Sequence, residues 1–296
     1  MVARVVSGII GIGVFLALCF AGLFPTTLAV TALVGLALRE FYAAYQNAPL
    51  VVEGATPQDA PVKPSAFNTL LLALGVLFPY ALYNTLLTQP QSLRNFSHIL
   101  GVLAVVFALR LRRANATGAI LGRLRGTYGL VGLAYIGMLF CSFVLIRGVG
   151  GRVAVAPFGS ADLGAWLLLW TAVCVWSTDS FAFFVGRSMG KHKLAPKLSP
   201  GKTWEGFGGG LAGAVLMGAA FAAWLGVGVQ HGIVLGLLAG VMGPLGDLFE
   251  SALKRELNLK DFGSILPGHG GILDRFDSLL FVAPLAYLYF RYAMHL

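Results

Sequence analysis

Charge is scarce in this sequence. Asp, Glu, Lys and Arg make up only 11% of its 296 residues, against about 25% in an ordinary soluble domain, so a water-facing surface of normal extent cannot be built from it. Cysteine is scarcer still. Cys19, Cys141 and Cys174 are too few for a disulfide framework and match no zinc spacing. Each sits in an apolar run and is expected as a buried thiol. Disorder is excluded as well, because disordered chains are polar and poor in aromatics, whereas 57% of this chain is apolar and 12% aromatic. With a mean hydropathy of +0.81, the composition is that of an integral membrane protein. A net charge of +9 would point a soluble protein toward nucleic acid. Here it is accounted for by Lys and Arg collecting on the cytoplasmic side, and no nucleic-acid partner is expected.

A helix needs about 20 mainly apolar residues to cross a bilayer. Nine runs are candidates: 5–24, 27–45, 66–88, 96–111, 128–146, 163–186, 207–229, 232–253 and 271–293, the fourth being short before Arg110 interrupts it. The first is too long for the apolar segment of a signal peptide and no small-residue cleavage site follows it, so it is read as a span. With the N-terminus inside, the inner side collects 17 of the 21 basic residues and the outer side keeps Arg94, Arg147, Arg152 and Arg291. The expected fold is therefore an all-α polytopic bundle of about nine transmembrane helices, N-in and C-out. An N-terminal transmembrane region, 1–160, precedes a C-terminal region, 161–296, that carries the chemistry. No internal repeat of the transporter kind is visible.

Eight of the 12 acidic residues fall between Asp179 and Asp277, several inside expected spans. A carboxylate in the membrane costs a few kcal/mol and is a functional candidate by default. Asp247, Ser251 and Lys254 share one helical face, with Glu250 beside it, and Asp274 and Asp277 share another. Asp179 lies in a polar patch, Trp176 to Ser180. A structural alternative exists for each acid, such as an i,i+4 pair of Glu250 with Lys254. Acids from three helices at one depth, beside basic loops, favour a single site. Carboxylates without His or Cys partners suit a hard cation such as Mg²⁺, and nearby Lys and Arg suit phosphate.

Two strings are specific. One runs Ser251-x-Leu253-Lys254-Arg255, Lys260-Asp261-x-Gly263, Leu266-Pro267-x-His269-Gly270-Gly271 and Asp274-Arg275-x-Asp277. The other is Lys191-His192-Lys193 through Ser199-Pro200-Gly201-Lys202-Thr203-Trp204-Glu205-Gly206. Gly201-Lys202-Thr203 is no P-loop, since the position that needs a second glycine holds Pro196. The glycines from 263 to 271 permit a sharp turn whose N–H groups, at the start of the last helix, could approach an anion. Two G-x3-G spacings within 206–213 suit close helix packing.

Over about 176–277 these strings resemble the phosphatidate cytidylyltransferase (CDP-diacylglycerol synthase) family, with every defined position of the longer motif filled. The resemblance implies transfer of CMP from CTP to phosphatidate in the cell inner (plasma) membrane, with release of diphosphate, a requirement for Mg²⁺ and an active site facing the cytoplasm. It implies catalytic roles for Lys254, Arg255, Lys260, Asp261, His269 and Arg275. Ser199, Lys202, Thr203, Glu205 and Ser251 are expected to bind substrate, and Asp247, Asp274 and Asp277 to hold metal. His269 is expected to donate to phosphate or fix the turn, because a phosphate monoester already carries nearly two negative charges. The expected partners are CTP and phosphatidate in the bilayer, with a homodimer as one assembly the sequence allows. The alternatives are another metal-dependent lipid phosphoryl or nucleotidyl transferase, and a transporter. The acid-rich signature of CDP-alcohol phosphotransferases does not occur.

Overall fold

The computed structural model describes residues 2–47, 66–88, 128–266 and 270–296. Its helices follow the apolar runs: α1 (Val2–Phe20), α2 (Leu23–Asn47) and α3 (Ala66–Thr88), then α4, which runs as Tyr128–Gly132, a π-helical stretch Leu133–Met138 and Leu139–Arg147. A hairpin of β1 (Arg152–Val155) and β2 (Gly159–Asp162) leads into α5 (Leu163–Met189). A second hairpin, β3 (Lys193–Ala195) with β4 (Ser199–Thr203), leads into α6 (Trp204–Leu225), followed by α7 (Val229–Glu256) and α8 (Leu273–Tyr292). Six of these helices, α2 to α7, are long and apolar enough to cross a membrane, and Gly8–Phe20 of α1 forms a shorter apolar helix. The expected span 96–111 lies outside the described residues.

Several boundaries have a local cause. Asp162 accepts from the N–H of Gly164 at 3.0 Å and starts α5; Thr203 accepts from the N–H of Gly206 at 3.1 Å and starts α6. Such caps satisfy N–H groups that have no partner inside the helix. α6 ends where Gly226 turns left-handed, at φ 69°, so the break between α6 and α7 falls at 226–228 and not at the expected 229–232. Helices α5, α6 and α7 pack closely. A side-chain carbon on Gly232 would overlap the backbone of Gly218 and Ala219, so a glycine there sets how near α7 lies to α6. The core is aromatic: Tyr135, Phe140, Trp170, Phe249, Phe281 and Phe290 are fully buried. All three cysteines are free and buried, as expected.

The bundle has two distinct ends. At one end, Arg147 donates to the carbonyl of Cys19 at 2.8 Å and to Asp162 at 2.9 Å, and Trp224 donates to the carbonyl of Ala156 at 3.0 Å. At the other end stand the C-termini of α2, α5 and α7, the β3–β4 hairpin and the N-termini of α6 and α8. The described motif residues lie there. The sequence gives no sign of either hairpin, whose strands are only three to five residues long.

Candidate active site

The β3–β4 hairpin folds over the helix ends and roofs a cavity of about 490 Å³. Its polar lining is Asp179 and Arg187 from α5, Ser199, Lys202 and Thr203 from β4, and Asp247 from α7. Its apolar lining is Ala182, Phe183, Leu194, Phe207 and Pro244. Lys202 Nζ lies 2.6 Å from Asp247 Oδ2. Ser251, one turn along α7, donates to Asp247 Oδ1 at 3.3 Å, so the shared helical face read from the sequence is realised. The hairpin is tied to α6 by Glu205, which accepts from the N–H groups of Lys191 and His192 and lies 2.6 Å from the His192 ring.

Asp277 of α8 is half-buried and is not part of the cavity lining, but Asp179, Asp247 and Asp277 interact electrostatically with one another and with Lys202. These carboxylates share the site with Lys202, with Arg187 of the cavity wall and with Arg275, which interacts with Asp179, so acids that could hold a cation stand beside bases that could meet phosphate. The donors are all hard oxygens, without His or Cys among them. Among the described residues no three His, Cys, Asp or Glu side chains stand close enough to form a complete ligand set. Mg²⁺ does not need one, since it commonly binds one or two carboxylates and completes its shell with water and substrate phosphate.

The remaining expected residues separate from this cavity. Lys254 is buried and its ammonium is engaged by Glu250 at 2.7 Å and Asp274 at 2.8 Å. The Glu250–Lys254 pair is the i,i+4 contact that the structural alternative anticipated. Asp274, expected to hold metal, spends its other oxygen on the N–H groups of Phe262, at 3.1 Å, and Gly271, at 2.8 Å. Arg255 is exposed and donates to the carbonyls of Leu198 and Leu259, linking the end of α7 to the hairpin turn. Lys260 and Asp261 are exposed on the connection to α8. Arg275 is exposed at the start of α8 and interacts electrostatically with Asp179. His269 lies outside the described residues.

Three residues outside the expected site set stand out in three dimensions. Asp179 and Arg187 line the cavity; the polar patch around Asp179 was the available signal. Glu40 of α2 is buried and accepts from the N–H groups of Ile272 at 2.8 Å and Leu273 at 3.3 Å. Its only mark in the sequence is that of an acid inside an apolar run.

Residues 2–293 match the model of the cytidylyltransferase family. A protein of Bacillus subtilis named phosphatidate cytidylyltransferase is 36% identical over 301 aligned positions, covering 99% of this chain and 98% of that one. A phosphatidate cytidylyltransferase of Staphylococcus aureus is 42% identical over 158 positions, covering 53% of this chain and 55% of that one. A Staphylococcus epidermidis protein of the same name is 41% identical over the same length.

Proposed function

From a chain that belongs to the cytidylyltransferase family, we infer an enzyme that transfers CMP from CTP to phosphatidate, forming CDP-diacylglycerol and releasing diphosphate. The observation that carries this reading is the relationship to a phosphatidate cytidylyltransferase along 99% of the chain. The cavity supports it: a polar end with Lys202, Arg187 and Ser199 adjoins an apolar wall of Phe183, Leu194 and Phe207, as a substrate with an anionic head and hydrocarbon tails requires.

In this reaction an oxygen of the phosphatidate phosphate attacks the α-phosphorus of CTP, a new P–O bond forms, and the bond to the diphosphate oxygen breaks. No proton has to be removed from the attacking group, because a phosphate monoester is already ionised. The barrier is dominated by repulsion between anions and by charge growing on the leaving group. Lys202 is assigned to phosphate oxygens, with Ser199 donating a hydrogen bond; Arg187 and Arg275 add positive charge. Lys254 acts indirectly, by holding Asp274 and with it the turn before α8. Asp247 and Asp277 are the carboxylates assigned to Mg²⁺. The ion, when bound, would neutralise phosphate charge and stabilise the departing diphosphate.

The proposed topology has nine spans, with the N-terminus inside and the C-terminus outside. Leu86 of α3 packs against Gly148 at one end of the bundle, while Gly129 of α4 receives the Tyr42 hydroxyl at the other. Thr88 and Tyr128 thus stand at opposite ends, an arrangement that one further pass, assigned to 96–111, would satisfy. Arg187, Lys191, Lys193, Lys197, Lys202, Arg255 and Lys260 gather at the site end, and Arg147, Arg152 and Arg291 at the other. The positive-inside rule then directs the site to the cytoplasm, in the plasma membrane. A homodimer is retained as the proposed assembly. The activity is tested by incubating purified protein with phosphatidate, CTP and Mg²⁺ and identifying the lipid product by mass spectrometry. CDP-diacylglycerol is the expected product; unchanged phosphatidate across detergents and Mg²⁺ concentrations would refute the assignment.

A further inference from the structure

We propose that Glu40 is a positioning residue for this reaction: reaching from α2, it caps the N-terminus of α8 and so fixes where Asp274 and Asp277 stand. The inference rests on the transferase reading given above.

The first turn of α8 needs a cap that its own sequence does not supply. Its N-cap is Ile272, whose side chain cannot accept a hydrogen bond. The N–H groups of Ile272 and Leu273 point instead at Glu40 Oε2, 2.8 and 3.3 Å away, across 232 residues of chain. Glu40 is only 6% exposed, and its negative charge meets the positive end of the helix.

The motif glycines have a matching role. A side-chain carbon on Gly263 would overlap Glu40 Oε1, and one on Gly271 would press on the same carboxylate. Two glycines of the family-like string therefore make room for an acid in the distant N-terminal region. Phe41, the neighbour of Glu40, also packs against the turn, its ring 5.7 Å from that of Phe262.

Glu40 and Asp274 hold this turn together. The N–H of Gly271 goes to Asp274 and the next N–H, that of Ile272, to Glu40. Asp274 is itself anchored by Lys254. α8 therefore begins at a point set by two carboxylates from different helices, and Asp277 lies one turn further on. Groups in a reacting constellation lose rate steeply when displaced by about 1 Å, so losing the cap acts on catalysis through Asp277 without Glu40 touching substrate.

The test compares Glu40→Ala, Glu40→Gln and Glu40→Asp with the parent protein in CMP transfer, and in the rise of melting temperature that Mg²⁺ with CTP produces. Glu40→Ala is expected to lower kcat at least tenfold per folded molecule, to raise the Mg²⁺ needed for half-maximal rate, and to move the KM for CTP less than about threefold. It should also shrink the Mg²⁺–CTP-dependent rise in melting temperature. Glu40→Gln, which keeps an oxygen to accept both N–H groups, should restore the greater part of kcat. Folded Glu40→Ala with the parent's kcat and Mg²⁺ dependence would overturn the proposal. If Glu40→Ala is not recovered folded, Glu40→Asp decides: one methylene too short to reach α8, it should lose kcat several-fold, and parental kcat would overturn the proposal. If the parent itself transfers no CMP, the reaction assignment fails, and the melting-temperature comparison still decides whether Glu40 orders the Mg²⁺ and CTP site.

Discussion

Lys202 Nζ and Asp247 Oδ2 stand 2.6 Å apart, joining the β3–β4 hairpin to helix α7 across the mouth of the cavity. Both side chains are partly exposed, at 24% and 33%, so the pair is not locked in the core like Lys254 with Asp274. In the proposed reaction an incoming nucleotide would take the lysine, and a cation the aspartate, in exchange for one another.

Lys202→Ala should therefore raise the KM for CTP by about tenfold to a hundredfold, the value of a hydrogen bond to a charged group. The melting temperature should move little, because partly exposed ion pairs contribute about 0–1 kcal/mol. Steady-state kinetics with CTP as the varied substrate, beside a thermal melt, separates the two effects. An unchanged KM would remove Lys202 from nucleotide binding.

Asp247→Asn and Asp274→Asn should fail in different ways. Asp247 lines the cavity, and loss of its charge should cut kcat by about a thousandfold with the fold intact. Asp274 is buried and paired with Lys254, and removing one partner of a buried pair costs about 3–5 kcal/mol. Asp274→Asn should thus lose yield and thermal stability before specific activity. Thermal melts and activity per folded molecule distinguish the outcomes; Asp274→Asn with parental stability would contradict the structural role.

Much of this was readable beforehand. Long apolar runs specify helices because a bilayer leaves the backbone no other partner than itself, and the buried cysteines follow from the same runs. Ser199, Lys202 and Thr203 come together with Asp247 at the cavity. The glycine-rich turn reads as a place where N–H groups could approach an anion, and the chain itself provides two: Asp274 for Gly271 and Glu40 for Ile272. The pairing with Glu40 spans 232 residues and leaves no periodic trace. The link from Lys254 to Asp274 was hidden for a related reason: it depends on how the turn after α7 folds back, while spacing along a helix reveals only i,i+4 partners such as Glu250. The hairpins were missed because strands this short carry too little alternation to read.

Chelation is expected to abolish turnover. EDTA should reduce CMP transfer to background, and added Mg²⁺ should restore it. Activity that survives exhaustive chelation would contradict the assignment of Asp247 and Asp277 to a metal.

Topology follows from the segregation of basic residues between the two ends. A reporter fused after Leu296 should lie outside, and one inserted near Lys197 should lie in the cytoplasm. Finding both on the same side would refute the nine-span arrangement.

Nucleotidyl transfer is distinguished from other phosphoryl chemistry by the position of the label in CTP. Purified protein is given phosphatidate, Mg²⁺ and CTP labelled with ³²P at either the α or the γ phosphate, and the extracted lipid is counted. The α label should enter the lipid one-for-one with CDP-diacylglycerol, while γ label leaves in diphosphate. Label in the lipid from γ-labelled CTP, or from neither, would contradict nucleotidyl transfer.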